Sequence, residues 1–405
     1  MRIVIVGGSA AGLLTALLAA RAGHRVSVLE RDDPTPAPDV EAAAATAFRP
    51  AAPQLVQPHV VLALCRELLL EHLPDVWAAL LAAGVAEVPL HAQMAPTLTD
   101  RSPRPGDERI PLVMTRRACV DWVLRRCALA EPGVELRGHT VVTGLLADPG
   151  EPPRVRGVRT DRGELSADLV VDAAGRRTGL DDWLREHGGG MRDPEVFTAV
   201  LRSVPFYAPW LDVLEPITDV YVMGGLHNTL RRLVVDGRPV VLGLHAVGDT
   251  VCTTNPTMGR GLSLALRGAV DLMDALRRHP DDPAAQAIAL DVGVGEHIEP
   301  FYADQAALDE ARLAQLRHTV LGAPPPPPPS PDPDRLALFE LRSAAPFDPD
   351  VFRAYNRLMG ALGQPDDVYR DPEMVARVRA VIAQRGVAPP IAEPDTERLS
   401  AVLGG

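Results

Sequence analysis

Gly248-Asp249-Thr250-Val251-Cys252-Thr253-Thr254-Asn255-Pro256-Thr257-Met258-Gly259-Arg260-Gly261 leads straight into a long helix-forming run, Leu262–Arg278, closed by His279-Pro280. The apolar run Pro239–Leu244 before it reads as a buried strand. A strand, an acid, a proline-fixed loop and two glycines opening a helix describe a helix N-terminus that a ligand can approach closely. The stretch answers an earlier glycine-rich turn, Gly7-Gly8-Ser9-Ala10-Ala11-Gly12. One such turn predicts a dinucleotide site; two, in this order and this far apart, predict one elongated ligand held at both ends.

The earlier turn sits in a βαβ pattern. Arg2–Val6 is a short β-branched run, Ala10–Ala22 a good helix former and Arg25–Leu29 a second strand. A dinucleotide fold needs a tight first turn, so that backbone N–H groups meet the pyrophosphate at a helix N-terminus. Gly7 supplies the turn and Gly12 lets the helix lie close to the strand. Ser9 stands where the fingerprint has glycine; it is small and can donate to a phosphate. Glu30 ends the second strand, where an acid binds ribose hydroxyls, and this favours an adenosine with a free 2′-hydroxyl, as in FAD or NAD. The candidate contacts are Gly7, Gly8, Ser9, Ala11 and Gly12, followed by Glu30 and Arg31.

The later turn separates flavin from nicotinamide. A second helix tip suits a negative charge or the pyrimidine edge of a flavin, which becomes anionic on reduction. Asp249 can accept from ribityl hydroxyls, Pro256 fixes the loop, and Gly259 and Gly261 permit close backbone approach. Alone, Asp249 reads equally as a helix-capping acid; joined to the first turn it reads as a ligand contact.

Gly248-Asp249, Asn255-Pro256 and Gly259-Arg260-Gly261 together resemble the ribityl-binding motif of class A FAD-dependent monooxygenases, the p-hydroxybenzoate hydroxylase-like superfamily. Thr115-Arg116-Arg117, heading a helix, resembles that family's arginine segment near the flavin, with Arg117 favoured over Arg116. Val171-Asp172-Ala173-Ala174-Gly175-Arg176-Arg177 resembles its middle motif. Arg49-Pro50, Pro53-Gln54 and Gln57-Pro58-His59 are similar to a bacterial branch that includes polyether epoxidase-like members. The resemblance implies FAD as cofactor, a small organic or secondary-metabolite substrate, and hydroxylation or epoxidation carried by the flavin itself. No catalytic acid or base is named. Related readings are a flavin-dependent reductase of prenyl-type double bonds and a degenerate member that binds FAD, or only keeps its fold, and serves a partner protein.

Two departures matter. Ala174 replaces the family's acid, with Asp172 two residues earlier, so NAD(P)H as direct reductant stays open beside a separate flavin reductase or dimer partner. The interval Gly190–Asp249 is short for the antiparallel sheet that roofs the family's substrate pocket. Phe197–Val204 and Trp210–Leu214 read as helix, and only Asp219–Met223 and Leu230–Val235 as strand. The expectation is that most of the substrate sheet is missing and that turnover is poor or needs a partner surface.

Around these motifs, Asp33–Ala52 reads as a loop, and His59–Leu70 and Asp75–Ala83 as helices. Ile110–Met114 reads as a strand and Thr115–Leu129 as a helix. Val134–Leu136, Thr140–Leu146, Val155–Arg159 and Leu169–Asp172 are short strands between Gly and Pro turns. Gln305–Leu321, Leu336–Leu341, Asp348–Leu362 and Pro372–Gln384 read as helices, and Pro324–Pro329 as an extended spacer. The expected fold is α/β: a Rossmann-like FAD-binding (GR2-type) domain, a reduced substrate domain and a helical C-terminal region. Its expected parts are 1–187 and 239–280 for FAD, 188–238 for the substrate-domain remnant, and 281–405 for the helices, with a linker at 323–334.

Composition bounds the alternatives. With 405 residues, 46% apolar and 23% charged, the chain can bury large cores. A net charge of −12 argues against a nucleic-acid surface. Cys65, Cys119, Cys127 and Cys252 lack metal-type spacing and read as reduced cytoplasmic thiols, and the histidines show no ligand spacing. Neither a signal peptide nor a membrane span is expected. Gly-x-Ser-x-Gly does not occur, which removes the usual serine-hydrolase elbow.

Overall fold

The computed structural model describes residues 1–47, 58–174, 228–321, 324–325 and 332–386. The chain divides into two compact units. One comprises Met1–Arg177, His227–Gln305 and Asn356–Pro365; the other comprises Thr178–Leu226, Ala306–Tyr355 and Asp366–Gly405.

In chain order the first unit opens with β1 (Arg2–Val6), α1 (Ala10–Arg21), β2 (Arg25–Leu29), α2 (Val40–Ala45), β3 (Pro58–Val61) and α3 (Ala63–His72). Then come α4 (Pro74–Ala82), β4 (Ala86–Val88), α5 (Leu90–Gln93), β5 (Leu112–Arg116), α6 (Arg117–Ala130) and β6 (Val134–Arg137). A meander follows: β7 (Val142–Asp148), β8 (Arg154–Thr160) and β9 (Gly163–Ser166), before β10 (Leu169–Asp172). After residue 228 come β11 (Thr229–Leu230), β12 (Val234–Val235), β13 (Arg238–Pro239), β14 (Leu244–Ala246) and β15 (Cys252–Thr253). The helices α7 (Gly261–Arg278), α8 (Pro283–His297) and α9 (Glu299–Leu321) complete the run.

A five-stranded sheet in the order β14-β10-β1-β2-β6 carries the site, and every pairing in it is parallel. Parallel strands are covered on both faces, which is why β1 and β10 read as nearly unbroken apolar runs. Strand alternation divides them cleanly. Ile3, Ile5, Val26, Val28, Leu169 and Val171 pack with α1, α7 and α8. Val4, Leu29 and Val170 pack with Val155 and Val158 of the meander on the other face. A further core joins α1, α3, α4, α6 and α7 through Leu13, Leu17, Cys65, Trp77, Val123 and Leu266. A small sheet in the order β3-β5-β4 flanks it, with His59 opposite Thr115.

In the second unit, α10 (Leu338–Ala344) packs against α13 (Pro372–Arg385), with α11 (Pro349–Met359) and α12 (Pro365–Tyr369) lying between them in sequence and each beginning or ending in the first unit. The Leu336 N–H donates to the Tyr369 carbonyl (2.8 Å), and the Arg335 guanidinium lies 4.7 Å from the Tyr369 ring centre.

Several expectations are corrected. The stretch expected as loop contains α2, whose first turn is capped by the Asp39 carboxylate accepting from the Ala42 N–H (2.8 Å). His59 lies on strand β3 rather than in a helix; pairing with β5 overrides the leucine spacing that follows. Pro239–Leu244 is not one strand, because Gly243 (φ +72°) breaks it and β14 starts at Leu244. Leu230–Val235 divides between β11 and β12, and β4 and β9 had no reading at all. Within the first unit, α8 packs along α7. Arg49, Pro50, Pro53, Gln54, Gln57, Gly175–Arg177, Gly188–Gly190, Phe197–Val204, Trp210–Leu214 and Asp219–Met223 lie outside the described residues, as does most of the Pro324–Pro329 spacer.

Candidate functional site

The two glycine turns meet. They leave the carboxyl ends of β1 and β14, with only β10 between them in the sheet, which is where open α/β sheets bind ligands. Gly248 (φ +62°) lies so near α1 that a Cβ there would sit 2.7 Å from the Ala11 Cβ. The far end of the second turn closes on the small sheet: a Cβ on Gly259 would stand 3.7 Å from Leu62, and one on Gly261 would stand 3.8 Å from Asp249 Oδ1.

At the first turn, a Cβ on Gly12 would lie 1.9 Å from the Gly7 carbonyl oxygen, so only glycine fits beneath the loop. Ser9 is exposed and is the N-cap residue of α1, yet its side chain caps no helix N–H. That helix end therefore keeps its positive pole and its orphan donors for something else. Glu30 is buried at the end of β2. Its Oε2 accepts from the Gly8 N–H (2.9 Å) and its Oε1 from the Asp32 N–H (3.0 Å), so the acid is locked against the turn. Arg31 is half-exposed and lies 3.8 Å from the Asp32 carboxylate.

At the second turn, Gly248–Thr250 forms a 3-10 turn, and the Thr253 hydroxyl donates to the Asp249 carbonyl (2.9 Å). Pro256–Met258 forms another, capped by the Asn255 side chain accepting from the Thr257 N–H (3.0 Å). Gly259, at φ +66°, ends it, and α7 starts at Gly261. Between the two turns, Asp172 at the end of β10 accepts from the Ala174 N–H (2.9 Å) and from the Thr250 hydroxyl (3.4 Å). The acid that sits two places early in the middle motif thus ties β10 to the second turn.

The geometry separates the two arginines of β5 and α6. Arg116 is 46% exposed and held in a two-point pair with Glu41 (2.6 and 2.9 Å). Arg117, the first residue of α6, has a buried Nε with no hydrogen-bond partner among the described residues. The His59 Nε2 is likewise buried and unpartnered among them. Burial, and then the nearby Arg117 guanidinium, lower the His59 pKa to about 4, so this imidazole is neutral at ordinary pH. Burial raises the Cys65 thiol to about 12; burial, with the Asp249 carboxylate adding to it, does the same for Cys252. Neither thiol is a nucleophile at neutral pH.

Three groups that sequence reasoning left without a role stand out. His59 was visible but read as packing. Arg125, 3% exposed, pairs with Asp121 (2.8 Å) and reaches the Gly8 and Asp33 carbonyls (3.4 Å each), tying the first turn to the loop after β2. Their α6 face lines a small open cleft of about 80 Å³, beside Thr35, Ala43, Ala47 and Trp122. Arg260 lies within the second motif, where a charge between two glycines was the available signal. Among the described residues, no group of three or more His, Cys, Asp or Glu could hold a metal, and no helix is long and apolar enough to cross a membrane.

The residues fit a flavin dinucleotide. Two glycines exclude any Cβ, one helix tip is uncapped by its own serine, and Arg117 and His59 keep buried polar atoms without partners.

No family model matches the chain. Protein Rv3254 of Mycobacterium tuberculosis is 31% identical over 205 residues, which cover 46% of this chain; the chain spans only 40% of that protein's length. PqsL of Pseudomonas aeruginosa, described as a "probable FAD-dependent monooxygenase", superposes with a TM-score of 0.50 at 15% identity, covering 78% of this chain and 96% of PqsL. The Diels-Alderase PyrE3 of pyrroindomycin biosynthesis gives 0.56 at 14% identity over 89% of this chain and 80% of its own. A flavoprotein/dehydrogenase from Cytophaga hutchinsonii gives 0.54 at 12% identity over 95% of this chain and 100% of its own. A parallel sheet and two glycine turns in contact agree with these superpositions: the chain shares its fold with PqsL, PyrE3 and the Cytophaga flavoprotein/dehydrogenase.

Proposed function

We propose that the chain binds FAD and acts as an FAD-dependent oxidoreductase of monooxygenase type on a small organic substrate. The observation that supports this reading is the close approach of Gly248 to Ala11, which sets the second turn against the start of α1. The first turn and the α1 tip would take the pyrophosphate through Gly7, Gly8, Ser9, Ala11 and Gly12, and Glu30 the ribose hydroxyls. Arg117 would supply positive charge along the cofactor. Asp249 would accept from the ribityl chain. Pro256, Gly259 and Gly261 would bring backbone N–H groups and the α7 tip to the pyrimidine edge.

When bound, the flavin supplies the redox chemistry with reductant and oxygen, and this chain's residues bind, orient and shield it. The neutral His59 beside Arg117 can donate or accept one hydrogen bond without moving a net charge. The electron donor, NAD(P)H or a separate reductase, is decided by experiment.

Purified protein is expected to take up FAD stoichiometrically and turn yellow, and Asp249→Ala is expected to lose the colour while keeping its circular-dichroism spectrum. Anaerobic mixing with NADH or NADPH, followed by oxygen, tells whether the chain accepts electrons directly. A folded protein that binds no FAD at micromolar concentration sinks the reading.

A further inference from the structure

Arg260 occupies a position that helix chemistry disfavours. It is the N-cap residue of α7, where Ser, Thr, Asp or Asn is preferred, and its side chain caps nothing. A full positive charge is thus added where the helix dipole is already positive. It is also only 1% exposed. The guanidinium turns away from its own helix. Its Nη1 donates to the Phe301 carbonyl (2.9 Å), its Nη2 to Asp304 Oδ2 (2.6 Å), and it lies 5.4 Å from the Phe301 ring centre. The Asp304 side chain is 6% exposed, so the pair is buried at both ends. In the same first turn of α7, the Ser263 hydroxyl is buried with no partner.

A buried ion pair is weak grounds for stability, because desolvation offsets its attraction and apolar residues of similar volume serve as well. A role in charge placement accounts for it better. Arg260 sits between Gly259 and Gly261, the two residues that present the α7 tip. Resting on the FAD reading above, we propose that Arg260 and Asp304 form a charge-setting pair. Arg260 adds positive potential at the flavin-facing helix tip, Asp304 holds it back to a set level, and together they fix the electron affinity of the bound flavin. Both are positioning residues; neither needs to touch the cofactor.

The test uses FAD-loaded protein and two readouts that need no turnover: the flavin midpoint potential and the dissociation constant for sulfite. Sulfite adds its lone pair to N5 of oxidised flavin and leaves negative charge on the N1–C2=O edge, so its affinity reports local positive potential. Asp304→Asn is nearly isosteric and frees the charge of Arg260. It is expected to tighten sulfite on the order of tenfold, the size of one charge at a partly buried helix end, and to make the potential more positive. Arg260→Gln is expected to weaken sulfite by a similar factor, and the double variant to return close to the parent. Should Arg260→Gln not fold, Asp304→Asn against the double variant, which leaves no buried charge, carries the same contrast. A merely structural pair would shift both singles the same way, or leave sulfite and potential unmoved; either result overturns the inference while the FAD reading stands. A parent protein that takes up no FAD overturns both.

Discussion

Gly248→Ala tests whether the contact between the two turns holds the cradle together. The new methyl meets two obstacles. At φ +62° an L side chain costs about 1–2 kcal/mol. Its Cβ would stand 2.7 Å from the Ala11 Cβ, and overpacking of this kind costs about 1–3 kcal/mol. The total of roughly 2–5 kcal/mol can appear in two places. If the turn stays where it is, the folded protein is destabilised. If the turn backs away from α1, stability is partly kept and the strain returns when FAD draws the tips together, at one decade in affinity per ~1.4 kcal/mol. Urea unfolding of the apoprotein and fluorescence titration with FAD measure the two shares. Ala11→Gly removes the methyl that is struck but leaves the backbone strain, so the double variant should recover about 1–3 kcal/mol beyond additivity. If Gly248→Ala binds FAD and unfolds like the parent, or if the two substitutions add within ~0.5 kcal/mol, the argument that the turns are held by this contact is wrong.

Arg117→Ala is expected to weaken FAD at least tenfold, whereas Arg116→Ala, which breaks an exposed pair worth about 0–1 kcal/mol, should change it less than about twofold; equal effects would refute the assignment. Glu30→Gln removes the carboxylate that would accept from the ribose hydroxyls, and hydrogen bonds to a charged group are worth about 1.5–3 kcal/mol, so FAD affinity should fall roughly ten- to a hundredfold while the protein stays folded. His59 and His245 are both lowered by burial to about 4, against 6.5 unfolded. Their stability contribution is complete above pH 6.5 and is lost as pH falls toward 4, by about 3 kcal/mol for each. Denaturant midpoints measured across that window should fall in the parent and about half as steeply in His59→Asn; a flat profile contradicts the burial of these rings.

The parallel strands and both glycine turns were legible because each rests on a local rule. Ile3–Val6 and Leu169–Val171 are unbroken apolar runs covered on both faces, and Gly12 is required by a contact within its own turn. What the sequence hid depends on pairing at a distance. His59 precedes a leucine-rich helix, so periodicity assigned it to that helix, yet β5 takes it as a strand. Gly243 splits the run before β14 because a Cβ there would meet the Val155 carbonyl at 2.5 Å, a neighbour no local pattern names. Arg117 was favoured over Arg116 from the sequence, but the Glu41 that engages Arg116 lies in a helix read as loop. Arg260 sat in plain view inside the deciding motif, but its partners come from the start of α9.

Five positions at and beside the two turns break local rules. Ser9 leaves its own helix uncapped, Arg260 puts a charge on a positive helix end, Arg117 and His59 bury polar nitrogens that pair with none of the described residues, and Gly248 holds a left-handed turn against α1. Each departs from what stability alone would select, by about 1 kcal/mol for a lost cap and about 1–3 kcal/mol for a buried unsatisfied group. Scattered over the surface, such faults would be drift. Ser9, Gly248 and Arg260 lie on the turns that follow β1 and β14, and His59 and Arg117 lie on β3 and α6. A chain keeps such a concentration of unfavourable local choices where a ligand supplies the missing partners. Addition of FAD should therefore raise the melting temperature of the parent by more than it raises that of Arg117→Ala, because part of the stability missing from the apoprotein is the cofactor's to return.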